Sequence, residues 1–205
     1  GTQSEVLLGT DDSRSATLSD GTTTKLTQGP DPRFGMQAPL PQSRTVTTPG
    51  GLTLNVATQR TVALANPDDL LSVNRLTETI RVNNLPYTTS YNAATRTFTE
   101  TTPESRSKTT VIDTQGRIIQ DQVAGVSPSN YQYDARGRLE RATQGVGADV
   151  RAIDFGYDVN GYLETVTDPL LHTASFAYDQ AGRIRTATLP DDQGGRIVQF
   201  GYDKN

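Results

Sequence analysis

Apolar and polar positions alternate strictly in the last third of the chain. Ile153, Phe155 and Tyr157 share one parity, as do Ala174, Phe176 and Tyr178, and then Val198, Phe200 and Tyr202. Tyr131 and Tyr133 keep the aromatic part of the pattern. The positions between them (Asp154, Gly156, Ser175, Ala177, Gln199, Gly201) are polar or small. A period of two predicts β-strands with one covered face and one wetter face. Each run leads into Asp-x-x-Gly, which suits a type I turn closed by a residue in the left-handed region. Asp bonds the backbone ahead of it, and Gly takes positive φ at little steric cost. Beyond the turn the alternation slips. Leu163 and Val166 are three apart, as are Ile184 and Ala187. Either a β-bulge or partial burial of both faces explains that.

The hairpins repeat. Tyr133-Asp134-Ala135-Arg136-Gly137-Arg138-Leu139 recurs as Tyr157-Asp158-Val159-Asn160-Gly161-Tyr162-Leu163 and as Tyr178-Asp179-Gln180-Ala181-Gly182-Arg183-Ile184. A fourth copy opens at Tyr202-Asp203, so successive copies start 24, 21 and 24 residues apart. Ile112-Asp113-Thr114-Gln115-Gly116-Arg117-Ile118 is a weaker copy, and Tyr91-Asn92 a weaker one still. Self-similarity at this period marks a stacked architecture, in which each unit buries its apolar face only against its neighbours. The repeated residues Tyr133, Asp134, Gly137 and Arg138, Tyr157, Asp158 and Gly161, Tyr178, Asp179, Gly182 and Arg183, and Tyr202 and Asp203 are the candidate structural set. Stacking would place the tyrosines in a ladder on one face.

The first eighty residues carry β punctuation without the clear repeat. Leu18-Ser19-Asp20-Gly21-Thr22 reads as a turn. Thr45–Thr48 and Leu52–Val56 flank Pro49-Gly50-Gly51 as a hairpin. Ile80–Val82 and Tyr87–Tyr91 flank Asn83-Asn84, which tolerate positive φ. Pro30, Pro32, Pro39 and Pro41 predict an irregular loop from Gln28 to Gln42. Pro67-Asp68-Asp69-Leu70-Leu71 has room for one short helical turn. The domains read as 1–84, an N-terminal β-rich region with the Pro-rich loop, and 85–205, the repeat array with a truncated last unit.

Composition narrows the function classes. Hydrophobic residues make up 33% of the 205, low for a two-layer globule but adequate for a sheet that stays partly wet. Net charge is −4, with cations scattered one or two per repeat, which argues against a nucleic-acid groove. No apolar run approaches a membrane-spanning length. With one histidine, His172, and no cysteine, neither a His-rich zinc site nor a Cys-His dyad can be built. No G-x-S-x-G surrounds any serine. Asp134, Asp158, Asp179 and Asp203 hold equivalent turn positions, a row of turn formers rather than the asymmetric carboxylate pair of a glycosidase. A calcium loop counted from Asp158 fails, because Tyr162, Leu163 and Pro169 occupy its fifth, sixth and twelfth positions. No catalytic residue, cofactor or metal ligand is assigned.

The Tyr-Asp pairs followed by Gly-Arg-Leu/Ile closely resemble the YD repeats of the rearrangement-hotspot (Rhs) family, related to bacterial toxin-complex subunits and the teneurins. Thr167-Asp168-Pro169-Leu170-Leu171-His172-Thr173 resembles the family's T-D-P-L-G-H-T, with Leu171 where Gly is usual. Leu189-Pro190-Asp191 matches its L-P-D. Thr101-Thr102-Pro103-Glu104-Ser105-Arg106 resembles T-S-P-E-G-R. Asp31-Pro32-Arg33-Phe34-Gly35-Met36 and Thr47-Thr48-Pro49-Gly50-Gly51-Leu52 extend the resemblance weakly into the N-terminal half. The resemblance implies a curved, spiralling β-sheet that builds a hollow shell around a toxin, or an extracellular adhesion scaffold. It also implies secretion or surface exposure. The family's self-cleaving core uses D-P-x-G-type motifs, and neither Asp168-Pro169-Leu170-Leu171 nor Asp31-Pro32-Arg33-Phe34 matches, so protease activity is not carried over.

The expectation is therefore an all-β chain of antiparallel hairpin repeats, a non-catalytic piece of a longer YD-repeat shell. Its expected partners are the rest of that shell and an enclosed C-terminal segment. A carbohydrate-binding or cell-adhesion module is the alternative, since exposed Tyr and Phe beside Asn, Gln, Asp and Arg suit sugars. A final strand from Ile197 to Tyr202 with an open edge would further favour self-association.

Overall fold

A computed structural model describes residues 5–9, 13–190 and 195–203. Asp191 and Lys204 lie outside the described residues. The chain divides into two units, 1–116 and 117–205. In the first, nine strands follow one another among the described residues: β1 (Glu5–Leu8), β2 (Arg14–Thr17), β3 (Thr23–Asp31), β4 (Gly35–Thr47), β5 (Thr53–Leu64), β6 (Val73–Val82), β7 (Leu85–Asn92), β8 (Thr97–Thr101) and β9 (Ser107–Ile112). In the second are β10 (Ile118–Val123), β11 (Ser129–Tyr133), β12 (Leu139–Gln144), β13 (Arg151–Tyr157), β14 (Leu163–Thr167), β15 (Thr173–Tyr178), β16 (Ile184–Leu189) and β17 (Arg196–Gln199). Within each unit every strand pairs antiparallel with the next. The only helical element among the described residues is a single 3-10 turn at Gly147–Asp149.

One turn design recurs in seven of the hairpins among the described residues. The first residue's N–H donates to the carbonyl four residues on, and the fourth residue's N–H donates back to the first carbonyl. Leu18–Thr22, Thr48–Leu52, Thr102–Arg106, Asp134–Arg138, Asp158–Tyr162, Asp168–His172 and Asp179–Arg183 all close this way, at 2.8–3.0 Å. The fourth residue always has positive φ: 82° at Gly137, 94° at Gly161 and 74° at Gly182, as the turn reading requires. Ser105 (61°) and Leu171 (67°) take the same conformation without being glycine. Asn83 and Asn84 are also positive, at 48° and 68°.

Register resolves the irregular spacing after the turns. Tyr157 pairs with Leu163 and Phe155 with Val166, with a register shift between Gly156 and Tyr157. Tyr178 pairs with Ile184 and Phe176 with Ala187, and Tyr133 with Leu139, with equivalent shifts. Glu140, Glu164 and Arg185 are the extra residues, so each outgoing strand carries a β-bulge. The bulge returns Val166 and Ala187 to the face of Leu163 and Ile184. The cross-strand rows Tyr131–Ala142–Ile153, Phe155–Val166–Ala174 and Phe176–Ala187–Val198 then share one face with Tyr133, Tyr157 and Tyr178. That face is no closed core. Among the described residues only Gly29, Asp31 and Ala187 are buried, and Ile153 remains exposed.

Three sequence expectations need correction. The segment Gln28–Gln42 is no loop, because β3 and β4 run through it. The prolines sit where the ladder is already interrupted. Register shifts fall between Thr27 and Gln28 and between Gly29 and Asp31, so a missing N–H costs little at Pro30 and Pro41. Residues 67–71 form no helical turn. Asp69 N–H donates to Asn66 O and Ser72 N–H to Asp69 O, two successive β-turns braced by the Ser72 hydroxyl. The last strand spans Arg196–Gln199 rather than Ile197–Tyr202, with Phe200 and Tyr202 beyond its end.

Candidate functional site

The repeated residues converge on the joints between successive hairpins. Within a turn, the Asp134 carboxylate accepts from Arg136 N–H and Arg138 N–H at 2.9 Å each, and from Arg138 Nε at 2.7 Å. Asp179 repeats this with Ala181 N–H, Arg183 N–H and Arg183 Nε at 2.9, 3.0 and 2.8 Å. The backbone bond from Arg138 is the largest cause holding the Asp134 carboxyl below its ordinary pKa, and the bond from Arg183 does the same for Asp179. So clasped, the guanidinium lies over the tyrosine of the next repeat. Arg138 sits 4.1 Å from the Tyr157 ring centroid, Arg183 4.3 Å from Tyr202, and Arg117 4.5 Å from Tyr133.

Each tyrosine hydroxyl then reaches back to the repeat before it. Tyr133 donates to Ile118 O at 2.8 Å, Tyr157 to Leu139 O at 2.8 Å, Tyr178 to Leu163 O at 2.7 Å and Tyr202 to Ile184 O at 2.8 Å. For Leu139, Leu163 and Ile184 the acceptor immediately precedes the bulged residue. A bulge leaves backbone groups outside the ladder, and the phenol satisfies one of them. The turn glycine completes the joint. A Cβ at Gly137 would stand 3.1 Å from Arg117 Nη1, and one at Gly161 3.3 Å from Arg138 Nη1. Glycine therefore supplies both the positive φ and the space for the preceding repeat's arginine.

One joint departs from the pattern. Tyr162 fills the arginine position and stacks on Tyr178, with centroids 4.8 Å apart and planes 26° apart. A Cβ on Gly182 would collide with the Tyr162 hydroxyl. Burial, then the Asp158 charge, raise the Tyr178 pKa. Asp158 binds Tyr162 N–H at 2.8 Å but has no arginine to clasp.

Sequence reasoning missed several of these roles. Asp168 and His172 reproduce the clasp, with Nδ1 and Oδ2 3.1 Å apart, and the backbone bond from His172 leads the causes that lower the Asp168 pKa. The signal was available, since Leu171-His172 align with Gly-Arg of the turn. Asp31, 4% exposed, accepts from Arg33 N–H at 2.8 Å and Arg60 Nη1 at 3.1 Å, while Arg60 Nε also donates to Glu78 at 2.9 Å. Burial acts to raise the Asp31 pKa and these bonds outweigh it. Strand register brings those residues together, and residues so far apart in sequence gave no cue. No group of acidic or histidine side chains suited to a metal occurs among the described residues.

Residues 2–205 match the Teneurin YD-shell family. The chain belongs to that family. Its fold also matches solved toxin-complex structures. The crystal structure of TcdB2-TccC3-TEV aligns at TM-score 0.61 and 10% identity, over 98% of this chain and 11% of that one. The Photorhabdus luminescens Tc holotoxin pore aligns at TM-score 0.61 and 11% identity, with the same coverage. The YD-shell chain thus spans about a tenth of the length of those relatives. No curated protein matches it. Among the described residues, no helix of this YD-shell chain is long and apolar enough to cross a membrane.

Proposed function

We propose that the chain is a non-catalytic wall segment of a larger secreted or surface protein, whose shell encloses or presents a further segment. The observation that carries this reading is the joint. Tyrosine, arginine and aspartate, the residues most able to do surface chemistry, are spent on contacts between neighbouring hairpins. Residues 85–205 are proposed as the repeat array, with 1–84 preceding it, and the partners as the remaining shell and its enclosed C-terminal segment. The carbohydrate or adhesion reading would use the same tyrosines. One ring face is covered at Tyr133, Tyr157 and Tyr202 by a guanidinium group and at Tyr178 by Tyr162, which favours the wall.

Limited proteolysis of a longer protein containing this segment tests the proposal. The downstream segment should resist cleavage in the parent and become susceptible when Tyr157 and Tyr178 are both replaced by Ala. Equal susceptibility in both would contradict enclosure, and saturable glycan binding abolished by the same pair would favour adhesion. Self-association through sheet edges is a separate proposal, tested by sedimentation across a hundredfold concentration range.

A further inference from the structure

In the first unit, β1–β5 line an open groove of about 500 Å³ whose apolar lining includes Val6, Ala16, Leu26, Pro41 and Val56. Arg14 and Arg44 line the same groove and are exposed. Strand register sets them in one row across the sheet, in the order Arg14, Leu26, Arg44, Val56. Neither guanidinium makes a hydrogen bond or ion pair among the described residues. This is unlike Arg33, Arg60, Arg138 and Arg183, all of which hold carboxylates. Two exposed cations thus bracket an apolar residue within an open groove.

We propose that this groove docks an amphipathic helix of a protein partner carrying two carboxylates on its apolar face. The spacing selects it. Neighbouring strands lie about 4.8 Å apart, so Arg14 and Arg44 stand about 9.6 Å apart with Leu26 midway. On a helix, residues seven apart share a face at about 10.5 Å, and the residue three along rises about 4.5 Å. Acidic residues at i and i+7 therefore meet the arginines, an apolar residue at i+3 or i+4 meets Leu26, and one at i+10 meets Val56. The Arg–carboxylate pairs orient the helix, and apolar burial supplies affinity. A bilayer is disfavoured, because the groove is concave and the whole chain carries a net charge of −4.

The test uses the full chain and a fluorescein-labelled helical peptide. The peptide has two Glu seven residues apart, with Leu three residues before, between and three after them. A second peptide substitutes Lys for both Glu. Anisotropy should show saturable binding of the Glu peptide, about tenfold or more tighter than the Lys peptide and weakening with salt. R14Q/R44Q should erase the preference, whereas R14K/R44K should keep most of it, and circular dichroism should show that both fold. Equal affinity for the two peptides, or undiminished binding by a folded R14Q/R44Q, would overturn the proposal. So would preferential binding to phosphatidylglycerol vesicles, or a dimer that R14Q/R44Q dissociates.

Discussion

Two joints in the second unit solve one problem with different side chains. Between the hairpins of Tyr133 and Tyr157, Arg138 is clasped by Asp134 and lies over the Tyr157 ring, beside Gly161. Between those of Tyr157 and Tyr178, Tyr162 takes the position and stacks on Tyr178, against Gly182. The hydroxyl-to-carbonyl bond is the same in both, 2.8 Å to Leu139 and 2.7 Å to Leu163. What the repeat requires is a flat group over the tyrosine and an acceptor before the bulge. Arginine is one way to provide the flat group, and it brings its own cost: Arg138 Nη1 is buried without a hydrogen-bond acceptor.

The two joints should break differently. Gly182→Ala meets both a left-handed backbone and the rigid Tyr162 ring, and should cost about 3 kcal/mol in urea unfolding. Gly137→Ala meets the same backbone penalty but only the flexible end of Arg117, and should cost about 1–2 kcal/mol. In a Tyr162→Ala background the Gly182→Ala penalty should shrink toward the Gly137 value. Equal penalties from the start would mean that the ring plays no part.

Next in size come the phenols. Tyr157→Phe and Tyr178→Phe should each destabilise by about 1 kcal/mol, since each leaves a carbonyl without its donor. Leu171→Gly should stabilise by about 1 kcal/mol. Its side chain is 82% exposed and its φ is 67°, so glycine removes strain while sacrificing no packing. The smallest effect is on pH dependence. The carboxyls of Asp134, Asp168 and Asp179 are held low in the folded state. Their contribution is present above the unfolded aspartate pKa of about 3.9 and is lost as pH falls through the folded values. Denaturation midpoints should fall progressively below about pH 4, and Asp134→Asn should flatten that slope.

Much of this was legible in the sequence, because its causes are local. Alternation around Phe155 and Phe176, the glycines of Asp-x-x-Gly and the three-residue spacing of Leu163 and Val166 each report a φ or a parity that neighbouring residues determine. The prolines of 28–42 misled because a proline in an interrupted ladder reads the same as one in a loop. The grip of Arg60 on Asp31 and Glu78 could not be read, since register over 18 to 29 residues decides it. Tyr162 was legible as a departure from the repeat, but its ring contact with Tyr178 was not.

The central claim is that each tyrosine couples to the repeat immediately before it. A double-mutant cycle on Arg138 and Tyr157, set beside one on Arg138 and Tyr178, tests this most directly. With Arg138→Ala, Tyr157→Leu and Tyr178→Leu, the first pair should show a coupling of about 0.5–1 kcal/mol and the second a coupling of about zero. Equal couplings, or none in the first pair, would contradict the account.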